Sequence, residues 1–222
     1  MSQTETLMAR DGHEFDAYLA RPEGRARGAI VVVQEIFGVN PYIRSVADRF
    51  AAEGWLAIAP ALFDRVARRL EFGYAPAELQ TARGTMMQVD TAKALLDIAA
   101  ATAVVRHAGK VGVVGFCWGG RLAWLAGCGQ PIAAAVAYYG TRIGQHLPGQ
   151  VPRCPTQLHF GERDEHVPAA EIGQIRAACP QAEVHLYPAG HGFACDARAS
   201  FDAQSAALAW QRTQDFLGRH LG

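Results

Sequence analysis

Cys117 stands in the run Val111-Gly112-Val113-Val114-Gly115-Phe116-Cys117-Trp118-Gly119-Gly120, where a short apolar stretch feeds a glycine-rich turn and then a helical pattern. A thiolate serves as nucleophile or as metal ligand, and its surroundings decide which. Here they point to attack on an electrophile. Gly-x-Cys-x-Gly has the form of the strand–turn–helix that lifts a nucleophile above a strand end, with cysteine where serine usually stands. Gly115 and Gly119, two residues either side of Cys117, leave room for the strained backbone such a turn requires. The helix start beneath is expected to lower the thiol pKa and to offer backbone N–H groups to an oxyanion. The competing reading is a buried structural cysteine, since free cysteines are among the most buried residues.

Two further groups follow in the order nucleophile, acid, histidine. After the apolar run 156–160 comes Gly161-Glu162-Arg163-Asp164-Glu165-His166. Asp164 has the loop position of a carboxylate that orients a catalytic imidazole, and Glu162 and Glu165 are its rivals by spacing. The run 183–187 ends in Pro188-Ala189-Gly190-His191-Gly192-Phe193, which puts a glycine-flanked histidine just beyond a strand end. His166 competes as the base because it shares the acid's loop, but the order places the base on a later one. The other six histidines, 13, 107, 146, 159, 185 and 220, show no metal-ligand spacing.

These groups need a scaffold that presents loops at strand ends. The β-branched run Ala29–Val33 reads as a strand covered on both faces, and the alternation over 14–19 as a half-exposed one. Asn40 and Pro41 form a helix start, followed by Ile43, Val46, Ala47 and Phe50 on one face. Gly54 closes that helix, and 55–59 is the next buried strand. Residues 60–84, interrupted by Arg65, Arg68, Arg69, Arg83, Gly73 and Pro76, read as an irregular connection. Helical spacing returns over 85–107, with Val89, Ala92, Leu96, Ala99 and Ala103 as its stripe. Strands are predicted at 111–115, 133–139, 156–160 and 183–187, and helices at 119–127 and 168–178. A closing helix carries Ala206, Trp210, Leu217 and Leu221. The alternation gives an α/β fold with a mostly parallel central sheet, helices on both faces and active groups at the carboxyl ends of strands.

The 222 residues suit a single domain, 1–222, with 50% hydrophobic and 19% charged residues. Lys plus Arg and Asp plus Glu balance at 21 each, with no basic block for nucleic acid or an anionic membrane. The polar amino terminus does not read as a secretory signal, and no run reaches the roughly 18 apolar residues of a membrane span. Five scattered cysteines without a CxxC pair argue against a disulfide framework or structural zinc and fit a reducing cytoplasm. The expected partner is a small molecule, and the expected assembly a monomer or homodimer.

Gln34-Glu35-Ile36-Phe37-Gly38-Val39-Asn40, Gly115-Phe116-Cys117-Trp118-Gly119-Gly120, Tyr138-Tyr139-Gly140, Asp164 and Gly190-His191-Gly192-Phe193 together resemble the dienelactone hydrolases, over nearly the whole chain and in order. The resemblance implies an α/β-hydrolase fold, a triad of Cys117, Asp164 and His191, and no cofactor or metal. It gives Glu35 a contact with the resting nucleophile and makes the backbone N–H groups of Ile36 and Trp118 the oxyanion hole. Candidate substrate contacts are Phe37, Trp118, Phe193, Cys195 and Arg83. A carboxylate in a buried strand end is unusual without a partner, so Glu35 stands out on physical grounds as well.

Three departures bear on substrate. Four residues after the histidine, where the family's lactone hydrolase has a carboxylate-binding arginine, this chain has Cys195; Gly192 replaces a serine; and Pro60-Ala61-Leu62-Phe63 replaces a Pro-Asp-Leu-Tyr type motif. Cys195 removes a charge-assisted contact, so neutral activated esters are expected to be favoured over carboxylate-bearing lactones. The expected activity is ester or lactone hydrolysis through an acyl-enzyme. Its rivals are attack on activated phosphorus esters by the same groups, a hydrolase-fold binding protein without turnover, and a thiol sensor using Cys128.

Overall fold

The computed structural model describes residues 2–222. The chain divides into two compact units, one running to Val111 and taking in Leu221, the other from Gly112 to His220 with Gly222.

In the first unit the strands lie in the order β1-β2-β4-β3. They are β1 (Ser2–Met8), β2 (Glu14–Ala20), β3 (Ala29–Val33) and β4 (Leu56–Pro60). β1 runs antiparallel to β2, β2 antiparallel to β4, and β3 parallel to β4. Every residue of β3 and β4 is buried, as a strand covered on both faces requires. β2 is more buried than its alternation implies, since Phe15, Asp16, Ala17, Leu19 and Ala20 are all inside. Helix α1 (Pro41–Ala52) starts as expected: the Asn40 side chain accepts from the Ile43 N–H, and Pro41 occupies the first turn. It packs on β3 and β4, as does a later helix, α3 (Thr91–Val105).

The segment expected to be irregular is largely ordered. A 3-10 turn spans Leu62–Arg65, and α2 (Pro76–Gln88) begins at a proline, with only Ala82 and Thr85 buried. So exposed a helix leaves little apolar periodicity to read. Three of the arginines that break the pattern, Arg65, Arg68 and Arg69, are structural ties. Arg65 joins Asp97 at 2.6 Å and Asp11 at 2.6 Å, and Arg68 reaches Asp16 at 2.5 Å and Asp64 at 3.6 Å. This also moves the inner face of α3. Ala94, Asp97, Ile98, Ala101, Thr102 and Val105 are buried, not the stripe through Ala92 and Ala103, because Asp97 enters the core paired with Arg65. Removing Arg65 leaves the fully buried Asp97 without its ion-pair partner, so Arg65→Met is expected to lower the unfolding free energy by about 3 kcal/mol. Urea denaturation measures it, and a loss under about 1 kcal/mol would place the pair with weak surface bridges.

The second unit holds β5 (Val111–Phe116), β6 (Ala134–Tyr138), β7 (Thr156–Gly161) and β8 (Glu183–Tyr187), parallel and adjacent in that order. β5, β6 and β7 are buried throughout. Its helices are α4 (Trp118–Gly129), α5 (Ala169–Ala178) and α6 (Ala203–Leu221). α6 buries Ser205, Ala209, Thr213, Phe216, Leu217 and Leu221, a face one step round from the expected stripe. Thr213 explains the shift. Its hydroxyl meets Tyr138 Oη at 2.7 Å and His159 Nε2 at 3.1 Å, and His159 Nδ1 meets Tyr187 Oη at 2.7 Å. A polar network between helix and strands, with its hydrogen bonds made, takes the place of apolar packing.

Candidate active site

Cys117 sits between the end of β5 and the start of α4 with φ 55° and ψ −114°, a conformation L-residues rarely adopt. Its neighbours make room for the turn. A Cβ at Gly115 would overlap the Gly119 carbonyl oxygen, and one at Gly120 would stand 2.8 Å from Gly140 Cα. The Cys117 N–H donates to the Tyr138 carbonyl at 2.9 Å, pinning the elbow to the end of β6. Backbone strain held in this way by surrounding contacts is a common feature of functional sites.

The structure brings Cys117, His191 and Asp164 together in the second unit. His191 Nε2 lies 3.1 Å from Cys117 Sγ, and His191 Nδ1 lies 2.8 Å from Asp164 Oδ2. The other Asp164 oxygen accepts the His166 N–H at 2.8 Å, so both carboxylate oxygens are engaged. Glu162 and Glu165, the rivals by spacing, are exposed. His166 is also exposed, and its ring stands edge-on to His191 at 4.8 Å. From another side Tyr139 meets the imidazole at 5.1 Å, so aromatic edges as well as Asp164 fix the ring. Burial alone would hold the His191 pKa down. The negative charge at Cys117 and the Asp164 carboxylate outweigh it and push the value from the ordinary 6.5 up to about 10. The arrangement therefore favours a protonated His191, with Nδ1–H donating to the Asp164 carboxylate and Nε2–H directed at the Cys117 sulfur.

Trp118 opens α4, where first-turn N–H groups have no carbonyl partner within the helix. Phe193 and Cys195 are both 0% exposed. Phe193 packs among Tyr139 and Tyr187, at 5.5 and 5.0 Å. Both residues thus lie inside, behind the histidine loop.

In the first unit Glu35 is 0% exposed, and its Oε2 accepts from Tyr74 Oη at 3.2 Å. Asn40 Nδ2 donates to Tyr74 Oη at 3.1 Å, and the Phe37 ring meets that of Tyr74 at 4.5 Å. Ile36 is 8% and Phe37 3% exposed, whereas Arg83 stands exposed on α2. Sequence reasoning passed over Tyr74, and it quoted Gly120 and Tyr139 within their motifs without giving either a role of its own. Among the described residues no cluster of three or more His, Cys, Asp or Glu is placed to hold a metal ion, and no helix is long and apolar enough to cross a membrane.

The family model of the dienelactone hydrolase family matches residues 15–221. A candidate carboxymethylenebutenolidase of Synechocystis sp. is 35% identical over 228 residues, covering 94% of this chain and 93% of that protein. Among solved structures, a candidate dienelactone hydrolase from Klebsiella pneumoniae superposes with a TM-score of 0.86 at 31% identity, over 99% of this chain and 100% of that one. A dienelactone hydrolase-like promiscuous phosphotriesterase from metagenomic libraries shares the fold, with a TM-score of 0.82 at 21% identity over 100% and 99% of the two chains. With an α/β-hydrolase fold and a family match over nearly its whole length, the chain belongs to the dienelactone hydrolase family of carboxylic ester hydrolases.

Proposed function

We propose that the chain, acting as one domain, hydrolyses small carboxylic esters or lactones with Cys117 as nucleophile. The observation that supports this most directly is the continuous relay from Sγ through the imidazole to Asp164. The Cys117 thiolate attacks the carbonyl carbon, and the developing oxyanion is met by the backbone N–H groups of Trp118 and, following the family resemblance, Ile36. His191 gives its Nε2 proton to the leaving alkoxide as the C–O bond breaks, which leaves a thioester. Neutral His191 then takes a proton from water. Hydroxide adds to the thioester, the C–S bond breaks, and the acid leaves as the thiolate returns. Asp164 holds the imidazole orientation throughout and stabilises its positive charge whenever His191 is protonated.

A panel of p-nitrophenyl acetate, a simple lactone and a p-nitrophenyl phosphotriester tests this reading. Turnover of the carboxylic substrates is expected. Turnover of the phosphotriester alone would favour phosphorus ester chemistry, which is the activity of the structural neighbour of that name. Tight binding of the panel without turnover would favour a binding protein.

Glu35 keeps the family role of a partner to the resting nucleophile. Glu35→Ala is then expected to lower kcat by at least about tenfold, the scale of one charged hydrogen bond, while Tm falls by only a few degrees. Unfolding in parallel with lost activity would make Glu35 a structural partner of Tyr74 instead.

The preference for neutral esters expected from Cys195 rests on no other cation standing near the nucleophile. Arg65, Arg68 and Arg69 are bound to aspartates.

A further inference from the structure

Glu35 is fully buried, and a carboxylate taken that far from water depends on the groups that donate to it. The direction of the hydrogen bonds around it is set by the cap of α1. Asn40 Oδ1 accepts the Ile43 N–H at 3.2 Å, so the amide nitrogen faces the other way and donates to the Phe72 carbonyl at 3.3 Å and to Tyr74 Oη at 3.1 Å. A backbone N–H only donates and a carbonyl only accepts, so the orientation of the Asn40 amide is settled from both ends. With Nδ2 donating to it, Tyr74 Oη turns its own proton to Glu35 Oε2, 3.2 Å away.

The segment that delivers Tyr74 is built onto the one that carries Glu35. The Phe72 N–H donates to the Phe37 carbonyl at 2.9 Å, and the Phe37 and Tyr74 rings meet edge-on at 4.5 Å. Gly38, at φ 80°, lets the chains close in, since a Cβ there would overlap the Leu70 carbonyl oxygen. Glu78 Oε1 accepts the Gly73 N–H at 2.8 Å and ties the segment to the start of α2. None of these contacts needs the Tyr74 hydroxyl. A phenylalanine there would keep them all and lose the bond to Glu35.

We propose that Tyr74 is a positioning residue for Glu35: its hydroxyl, aimed by the cap of α1, holds the carboxylate in the rotamer from which it partners the resting nucleophile. The proposal deepens the acyl-transfer reading and rests on the Glu35 role within it. Tyr74 acts on Glu35 and not on the substrate, so its loss is felt in kcat and not in KM.

A cycle of wild type, Tyr74→Phe, Glu35→Ala and the double variant tests it, with two readouts. One is kcat and KM for p-nitrophenyl acetate. The other is the rate constant for alkylation of Cys117 by iodoacetamide, in which sulfur forms the S–C bond, iodide leaves and no hydrolysis is needed. Tyr74→Phe is expected to lower kcat about fivefold, less than Glu35→Ala does, with KM within about twofold of wild type. Without Glu35 the hydroxyl has no carboxylate to hold. Adding Tyr74→Phe to Glu35→Ala should therefore change kcat by less than about twofold, the margin within which independent effects add. The alkylation rate should follow the same pattern, altered by either substitution alone and no further in the double variant.

An effect of Tyr74→Phe as large in Glu35→Ala as in wild type would show the hydroxyl acting on something other than Glu35 and overturn the proposal. Wild-type kcat and alkylation in Tyr74→Phe would overturn it as well. If the alkylation rates are coupled while p-nitrophenyl acetate is not turned over, the positioning role stands and the hydrolase reading fails. If Glu35→Ala leaves both readouts at wild type while the ester is hydrolysed, the Glu35 role and this proposal fall together and the acyl-transfer reading stands.

Discussion

Replacing Cys117 with alanine is expected to lower kcat/KM for an aryl ester by about 10⁵ to 10⁶, the scale on which a hydrolase loses its nucleophile while keeping oxyanion stabilisation and binding. The fold should survive, because only a sulfur is removed from a partly exposed position. A companion variant makes the origin of the loss visible. With φ at 55°, Cys117 holds a backbone conformation that glycine adopts freely and alanine does not. Cys117→Gly is therefore expected to be more stable than Cys117→Ala by about 1 kcal/mol, and equally inactive. Chemical denaturation of the pair reads the strain directly. Equal stabilities would show that the elbow stores none, and residual hydrolysis near wild type in either variant would remove Cys117 from the mechanism.

The second large effect belongs to Asp164. Asparagine in its place no longer supports the imidazolium and is expected to lower kcat/KM by about 10⁴, as when the acid of a hydrolase triad is amidated. The pH behaviour separates this from a loss of shape. His191 is raised from 6.5 to about 10, so in wild type the imidazolium that protonates the leaving group persists through neutral pH and disappears as pH rises through about 10. The alkaline limb of kcat/KM belongs to the coupled Cys117–His191 pair, and Asp164→Asn should move it to lower pH. An alkaline limb unmoved by Asp164→Asn would mean that the carboxylate only positions the ring.

Stability carries the same signature. A histidine whose pKa is raised on folding contributes stability that is complete below about 6.5 and is lost as pH rises through about 10. His159 has the opposite sign. Burial holds its pKa well below 6.5, and the charges of His185 and Arg212 act in the same direction, so the unfolded chain gains a proton below that value that the folded chain does not. Its contribution falls as pH drops through 6.5.

An element is legible in this sequence where local chemistry and tertiary environment agree. Asn40 and Pro41 place the start of α1 because capping is a local interaction. β3, β5 and β6 are legible because strands covered on both faces are apolar without interruption. β1 escaped notice, since Ser2–Met8 is mostly exposed and leaves no alternation to read. α2 reads as loop because almost none of it is buried. α3 was turned to the wrong face because Asp97 counts as polar in any pattern and is taken inside only by Arg65, far away in sequence.

The site divides in the same way. Cys117, Asp164 and His191 each follow a recognisable strand, so type, order and loop position pick them out. The choice among Glu162, Asp164 and Glu165 needed the geometry, because three carboxylates in four residues share one local environment in sequence. Tyr74 had no signal at all: a tyrosine in a polar connection is ordinary until its hydroxyl proves to donate to buried Glu35 at 3.2 Å.

The central claim is that a thioester forms on Cys117. Mixing the protein with p-nitrophenyl acetate, quenching in acid and mapping the peptides by mass spectrometry tests it most directly. One acetyl group is expected on the peptide containing Cys117, removed by neutral hydroxylamine and absent from Cys117→Ala. Acetylation confined to another residue while wild-type turnover proceeds, or undiminished turnover by Cys117→Ala, would contradict the account.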